Sequence, residues 1–282
     1  MLPPFILFDL DDTLFDHRRA THIALQAVHA EHAADLSFDA FAQEHARVLE
    51  VYHQRFLNGE LSLDEARAAR MIEAFATFGR KISVGQSLAI ADIYRREHRG
   101  NRALVAGARE LLDALHGQAR LGLISNNAVA EQFDKLRTLN IAHYFEAIVI
   151  SEDVGVTKPD KRIFEIALER LGAKPDETVM VGDSLHADIR GARNAGIAAV
   201  WLNRATREKK DQSPASARLS EQKWLKTPAN AGVSYAASDW VPVELVSLTP
   251  PAVALAAIRN AYQQHVHALK GLTHAKLETL AS

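Results

Sequence analysis

Four short polar clusters in this chain have the residue types to do chemistry together. Asp9, Asp11 and Thr13 close the apolar run Phe5-Ile6-Leu7, and Ser125, Asn126 and Asn127 close Leu121 to Ile124. Lys158 follows the run ending at Ile150, and Asp183 with Asp188 follows Thr178 to Gly182. Carboxylates crowded at one place repel, and they stay ionised at neutral pH only where a metal or another cation offsets the repulsion. Mg²⁺ is the natural ion, a hard cation that takes carboxylate and carbonyl oxygens. Taken singly, each cluster has a plainer reading. Ser125-Asn126-Asn127 reads as a helix-capping turn, Lys158 before Pro159 as a surface lysine, and Asp183 after Gly182 as a turn residue. Together they supply a metal cage, a hydroxyl donor and a fixed cation, which is what a bound phosphoryl group requires.

The elements around them explain how they would meet. Short apolar runs closed by polar turns read as buried strands of a parallel sheet. From about Asn101 such strands (121–125, 145–150, 178–182, 198–202) alternate with helices at 107–116, 128–139, 160–171 and 186–195. That rhythm predicts a doubly wound α/β core with right-handed crossovers. All strand ends then share one edge, the edge at which such sheets bind ligands. Residues 16–101 are wholly helical in pattern, with apolar stripes such as Phe38, Phe41, Tyr52 and Phe56. Asn58-Gly59 stops one helix, and Ser62 to Glu65 and Ser83 to Gln86 have capping-box spacing for two more. The expected organisation is a core of 1–15 and 102–282 interrupted by a helical bundle. Residues 205–230 read as a long exposed loop, and Val233 to Ala236 as an edge strand. Leu255, Ile258, Tyr262, Val266 and Leu269 make a helical stripe that covers the core or meets a second subunit.

Bulk properties narrow the function classes. Of 282 residues, 48% are hydrophobic and 24% charged, so the chain can bury a large core. A net charge of -2 gives no electrostatic reason to expect nucleic acid or an acidic membrane as partner. Without cysteine there is no disulfide, thiolate catalysis or Cys-type zinc site, which fits a reducing cytoplasm. The thirteen histidines, including the pairs His17 with His22 and His29 with His32, lack zinc-like grouping.

The ordered set Asp9-Leu10-Asp11-Asp12-Thr13, Ser125, Lys158 and Gly182-Asp183-Ser184-Leu185-His186-Ala187-Asp188 resembles the four motifs of the haloacid dehalogenase superfamily, over roughly residues 5–204. The helical insertion matches the family's cap of the first type. Ser151 to Gly155 and Trp201-Leu202-Asn203 resemble its branch of small-molecule phosphatases, which includes pyrimidine 5′-nucleotidases and acylneuraminate 9-phosphatase.

The resemblance implies that Asp9 is a nucleophile forming an aspartyl phosphate, already ionised and needing no base. It implies that Asp11 protonates the departing alkoxide and then activates water. Carboxylate crowding and partial burial would favour the acid form this needs. Mg²⁺ would be held by the carboxylates of Asp9 and Asp183 and the backbone carbonyl of Asp11, with Asp188 ordering the motif. Lys158, Ser125 and the Asn126 amide would bind the phosphate, and Thr13 would brace the loop. Asp12 keeps a loop-stabilising reading.

The implied substrate is a small phosphate ester whose leaving group the cap encloses, and the implied assembly is a monomer or homodimer. A sugar-phosphate, acylneuraminate or phosphoglycolate phosphatase is the nearest alternative. A phosphomutase needs the same intermediate. A 2-haloacid dehalogenase would lack Asp11, since halide needs no acid, and a non-catalytic binding protein would not need the intact set.

Overall fold

The computed structural model describes residues 1–204 and 242–281, the last eleven of these as backbone only. The loop 205–230 and the strand Val233 to Ala236 expected from sequence lie outside the described residues. The chain divides into two compact units, Met1–Leu14 with Leu104–Ser282, and Phe15–Ala103.

The first unit is built on a six-stranded parallel sheet of order β3-β2-β1-β4-β5-β6. Its strands are β1 (Phe5–Phe8), β2 (Arg120–Ser125), β3 (Phe145–Ile150), β4 (Thr178–Gly182), β5 (Ala198–Leu202) and β6 (Val243–Leu245). Burial on both faces explains why β1 shows no alternation: Ile6, Leu7 and Phe8 are fully buried. Each contributes roughly 1.5–3 kcal/mol by leaving water. β1 sits between β2 and β4. The strand order therefore reverses beside β1, and a crevice opens there at the carboxyl ends of the strands.

The connecting helices of this unit are α5 (Ala108–Leu115), α6 (Val129–Thr138), α7 (Ser151–Val154), α8 (Lys161–Leu171) and α9 (Arg190–Asn194), followed by the terminal helix α10 (Pro251–Ala281). Ile163, Phe164, Leu171 and Ile189 pack with Leu7, Ile124, Met180 and Ala199 into one core. The terminal helix packs on β4, β5, β6 and α5. Its buried face is Ala254, Ala257, Ile258, Ala261 and His265. The larger Leu255, Tyr262, Val266 and Leu269 are only half-buried. Small alanines, rather than the bulkiest residues, let the helix backbone approach the strands.

The 186–195 helix expected from sequence differs in detail. It is a π-helical turn over Leu185–Ile189 that runs into the short α9. Ser184 caps it, its Oγ accepting from the Ala187 amide at 3.0 Å.

The second unit holds α1 (His17–His32), α2 (Phe38–Leu57), α3 (Leu63–Ala76) and α4 (Val84–Gly100). Each starts on a side-chain cap, from Asp16, Ser37, Ser62 and Ser83. The last two are full capping boxes with Glu65 and Gln86, so paired backbone donors that a helix start leaves open are met. Phe41, Val28, Met71, Phe75 and Ile90 form its apolar core. No helix among the described residues is long and apolar enough to cross a membrane.

Candidate active site

Asp9 leaves the end of β1, where its backbone amide still donates to the Val181 carbonyl at 3.0 Å. The chain then turns sharply, with the Leu14 amide donating to the Leu10 carbonyl and Asp12 in the left-handed region at φ 63°. Asp tolerates that conformation better than most residues. An ion pair with Arg204 at 3.5 Å holds Asp12. Within the turn, Thr13 Oγ1 donates to Asp9 Oδ2 at 2.9 Å.

Lys158 arrives from the loop after β3, and its ammonium is buried. Its Nζ donates to Asp9 Oδ1 and Asp188 Oδ1, both at 2.7 Å, and to the Ile124 carbonyl at 2.9 Å. Asn126 holds the lysine's backbone from both sides: its Oδ1 accepts from the Lys158 amide at 2.8 Å, and its Nδ2 donates to the Lys158 carbonyl at 2.9 Å. Asp188 approaches the end of β4 so closely that a Cβ on Gly182 would lie 2.4 Å from its carboxyl. Only glycine fits there. The second Asp188 oxygen accepts from the Ser184 amide at 2.9 Å, and Trp201 Nε1 donates to the Asp183 carbonyl at 2.9 Å, fixing the Asp183 turn. A wide π turn at this point lets Asp188 face back to both Lys158 and the Ser184 amide.

The charges do not balance. Burial pulls the Lys158 ammonium down, but the charges and hydrogen bonds of Asp188 and Asp9 outweigh it and hold the group protonated, above its ordinary value. Burial pushes Asp9 up; the Lys158 charge opposes this, and the charge of Asp188 reinforces it, leaving Asp9 at about 7. One cation thus serves two buried carboxylates, and the arrangement calls for more positive charge. Asp9, Asp183 and Asp188 each present a carboxylate oxygen, all within 4.8 Å of one another. An all-oxygen donor set suits a hard divalent cation.

Two residues here were absent from the sequence reading. Lys135 and Gln132, both buried on α6, reach the same strand ends. Lys135 Nζ donates to Asp11 Oδ1 at 2.6 Å and Oδ2 at 2.9 Å; Gln132 Nε2 donates to Asp11 Oδ2 at 3.0 Å and to Ser125 Oγ. The crowding expected to favour the acid form of Asp11 is therefore met by a cation. A sequence signal existed: Gln132 and Lys135 are spaced i and i+3 on the stripe that Leu136 and Leu139 complete. Polar residues on a buried stripe need a buried partner. Ser125 accepts from Gln132, so its own hydroxyl proton remains to be donated.

Among the histidines, His17 meets His98 through their ring nitrogens at 3.3 Å, in the helical unit.

A family model described as haloacid dehalogenase-like hydrolase matches residues 5–196. The chain belongs to this family. It is 35% identical over 208 residues to the pyrimidine 5′-nucleotidase YjjG of Escherichia coli, covering 72% of this chain and 88% of that protein. It is 32% identical over 203 residues to a glyceraldehyde 3-phosphate phosphatase of Methanothermobacter thermautotrophicus, covering 70% and 84% respectively. The fold is shared with the hydrolase YfnB of Bacillus subtilis, solved bound to magnesium. That match has a TM-score of 0.67 at 24% identity and covers 91% of this chain and all of that one.

Proposed function

We propose that this hydrolase is a Mg²⁺-dependent phosphatase of small phosphate monoesters, with pyrimidine nucleoside 5′-monophosphates as preferred substrates and a reducing cytoplasm as its setting. The observation that carries the reading is the buried Lys158 ammonium bridging Asp9 and Asp188 at 2.7 Å each, next to Asp183. A site with one fixed cation, surplus carboxylates and a hydroxyl donor suits a phosphoryl group better than a halide or a passive ligand. The nucleotide preference rests on YjjG and on a second relative, the pyrimidine 5′-nucleotidase PynA of Streptococcus pneumoniae, 32% identical over 206 residues.

In this reading the Asp9 carboxylate attacks phosphorus in line with the ester oxygen. The new bond is an acyl phosphate on Asp9; the bond that breaks is phosphorus to the ester oxygen, which leaves with a proton from Asp11. Asp11 then removes a proton from the water that attacks the acyl phosphate, releasing inorganic phosphate and restoring Asp9. Lys158 spreads charge from the transferring oxygens and keeps Asp9 aimed through Oδ1, while Thr13 holds Oδ2. Ser125 and the Asn126 amide donate to the phosphoryl oxygens. Asp9, Asp183 and the Asp11 carbonyl, with Asp188 as support, would hold Mg²⁺, which would supply charge that offsets repulsion between phosphate and nucleophile. Asp11 keeps this apart from dehalogenation, where halide departs without a proton.

A panel of nucleoside monophosphates, sugar phosphates and phosphoglycolate, assayed for phosphate release with Mg²⁺ and with chelator, tests the assignment. Turnover is expected only with Mg²⁺, and Asp9→Asn is expected to remove at least about 10⁴-fold of it. Retained activity in that variant sinks the nucleophile role. Sugar phosphates outranking pyrimidine nucleotides by more than about tenfold, roughly 1.4 kcal/mol, sinks the nucleotide preference.

A further inference from the structure

The helical unit encloses a second polar group that the chemistry above leaves unused. Arg70, on α3, is only 8% exposed, and its Nε has no hydrogen-bond partner. Among the described residues no carboxylate pairs with it. Its guanidinium lies over the Tyr94 ring, Cζ 5.0 Å from the centroid. His45 lies 5.2 Å from the same ring by centroids, and His98 stacks on it at 5.7 Å. His45 is fully buried with neither ring nitrogen bonded.

Burial first, then the charges of Arg70 and His17, hold His45 well below the ordinary histidine value. The ring is neutral at pH 7, with one N–H to give and one nitrogen to accept. Burial also lowers Arg70, and the nearby groups acting on it are Tyr94 and Arg67, neither of them a carboxylate. A guanidinium nevertheless stays charged.

The Arg70 Nε and both His45 ring nitrogens are buried without a hydrogen-bond partner among the described residues, and a polar atom that leaves water without a partner is costly. Such groups persist where a ligand completes them. We infer that Arg70, His45 and Tyr94 form a binding site inside the helical unit for a carboxylate group. The guanidinium fork matches a carboxylate in two parallel hydrogen bonds, and the His45 N–H offers a third. One full cation beside a neutral imidazole balances a single negative charge better than a phosphate dianion. The Tyr94 hydroxyl is already bonded to Thr21 Oγ1 at 3.0 Å, so tyrosine contributes its ring as a wall. The carboxylate is that of a free carboxylate metabolite.

Thermal unfolding of the full chain in malonate, against chloride at equal ionic strength and without Mg²⁺, tests the site. Malonate is expected to raise the melting temperature of the wild type. Arg70→Met is expected to abolish that shift and to melt about 2–4 °C higher than the wild type without ligand, since it removes an uncompensated buried cation. His45→Leu should reduce the malonate shift in a protein that still carries Arg70. No malonate-specific shift, a full shift in Arg70→Met, or a lower melting point for that variant overturns the inference. The unfolding arm needs no turnover, so its failure is distinct from failure of the phosphatase reading.

Discussion

Each unit of this protein buries a basic side chain, and the two are treated in opposite ways. In the α/β unit, Lys158 is enclosed with two carboxylates at 2.7 Å, a backbone carbonyl, and an asparagine gripping its main chain. In the helical unit, Arg70 has an aromatic face and no carboxylate among the described residues. The Lys158 cluster is over-supplied with negative charge and calls for a cation; the Arg70 cluster is over-supplied with positive charge and calls for an anion. Burial makes both imbalances costly. What differs is the sign of the missing partner, and therefore the ligand.

The largest expected effect on stability comes from removing the satisfied cation. Lys158→Met leaves Asp9 and Asp188 buried and facing each other, and should cost about 3–5 kcal/mol in stability and about 10²–10³-fold in turnover. Chemical denaturation and phosphate release measure the two. A Lys158→Met protein as stable as the wild type would erase the contrast with Arg70, where the same substitution is expected to stabilise.

Asp11→Asn comes next and should cost about 10²–10⁴-fold on alkyl phosphates. On an aryl phosphate, whose leaving group departs readily without a proton, the loss in forming the acyl phosphate should be much smaller. Equal single-turnover losses on both substrates would remove Asp11 from acid catalysis.

Asp9 makes the charge surplus visible through pH. Its folded value of about 7 lies above the ordinary 3.8, so the folded protein holds a proton that the unfolded chain releases earlier. The associated stability is fully present below about pH 4 and is lost as pH rises through about 7. Without metal, melting temperatures corrected with Asp9→Asn should fall across that window. Stabilisation by Mg²⁺ should grow over the same range, as the ligand loses its proton. Equal stabilisation at pH 5.5 and 8 would contradict this.

The smallest effect belongs to Lys135→Met. It frees Asp11 from a 2.6 Å contact but leaves Gln132 in place, and should cost about tenfold on alkyl phosphates. An equal loss on aryl phosphates would mark Lys135 as a general scaffold residue instead.

Much of the α/β unit was readable from local pattern because strands buried on both faces carry unbroken apolar runs. Thr178–Gly182 and Ala198–Leu202 have the bounds that their apolar runs suggest, and so does the edge strand Phe145–Ile150, whose run the exposed Glu146 interrupts. The caps of α3 and α4 were readable because Ser62 with Glu65 and Ser83 with Gln86 bond within four residues of one another. Lys135, Gln132 and the buried Arg70 were not readable in the same way. Their meaning depends on partners that lie elsewhere in the chain, or, for Arg70, on the lack of a carboxylate partner among the described residues. The π turn before α9 was hidden for a related reason: its width serves the distant contact between Asp188 and Lys158, not any helix preference of its own residues.

The sequence by itself determined the strand and helix alternation, the helix starts and the carboxylate spacing Asp9 to Asp11, because these follow from side-chain shape and hydrogen bonds between near neighbours. Only the tertiary structure decided which charges meet. Lys158 and Asp9 are separated by 149 positions and Lys135 and Asp11 by 124, yet each pair closes to within 2.7 Å. The strand order, which sets β1 between β2 and β4, brings those ends to one edge. Burial there makes the surplus carboxylate charge of Asp9, Asp183 and Asp188 a demand for a ligand.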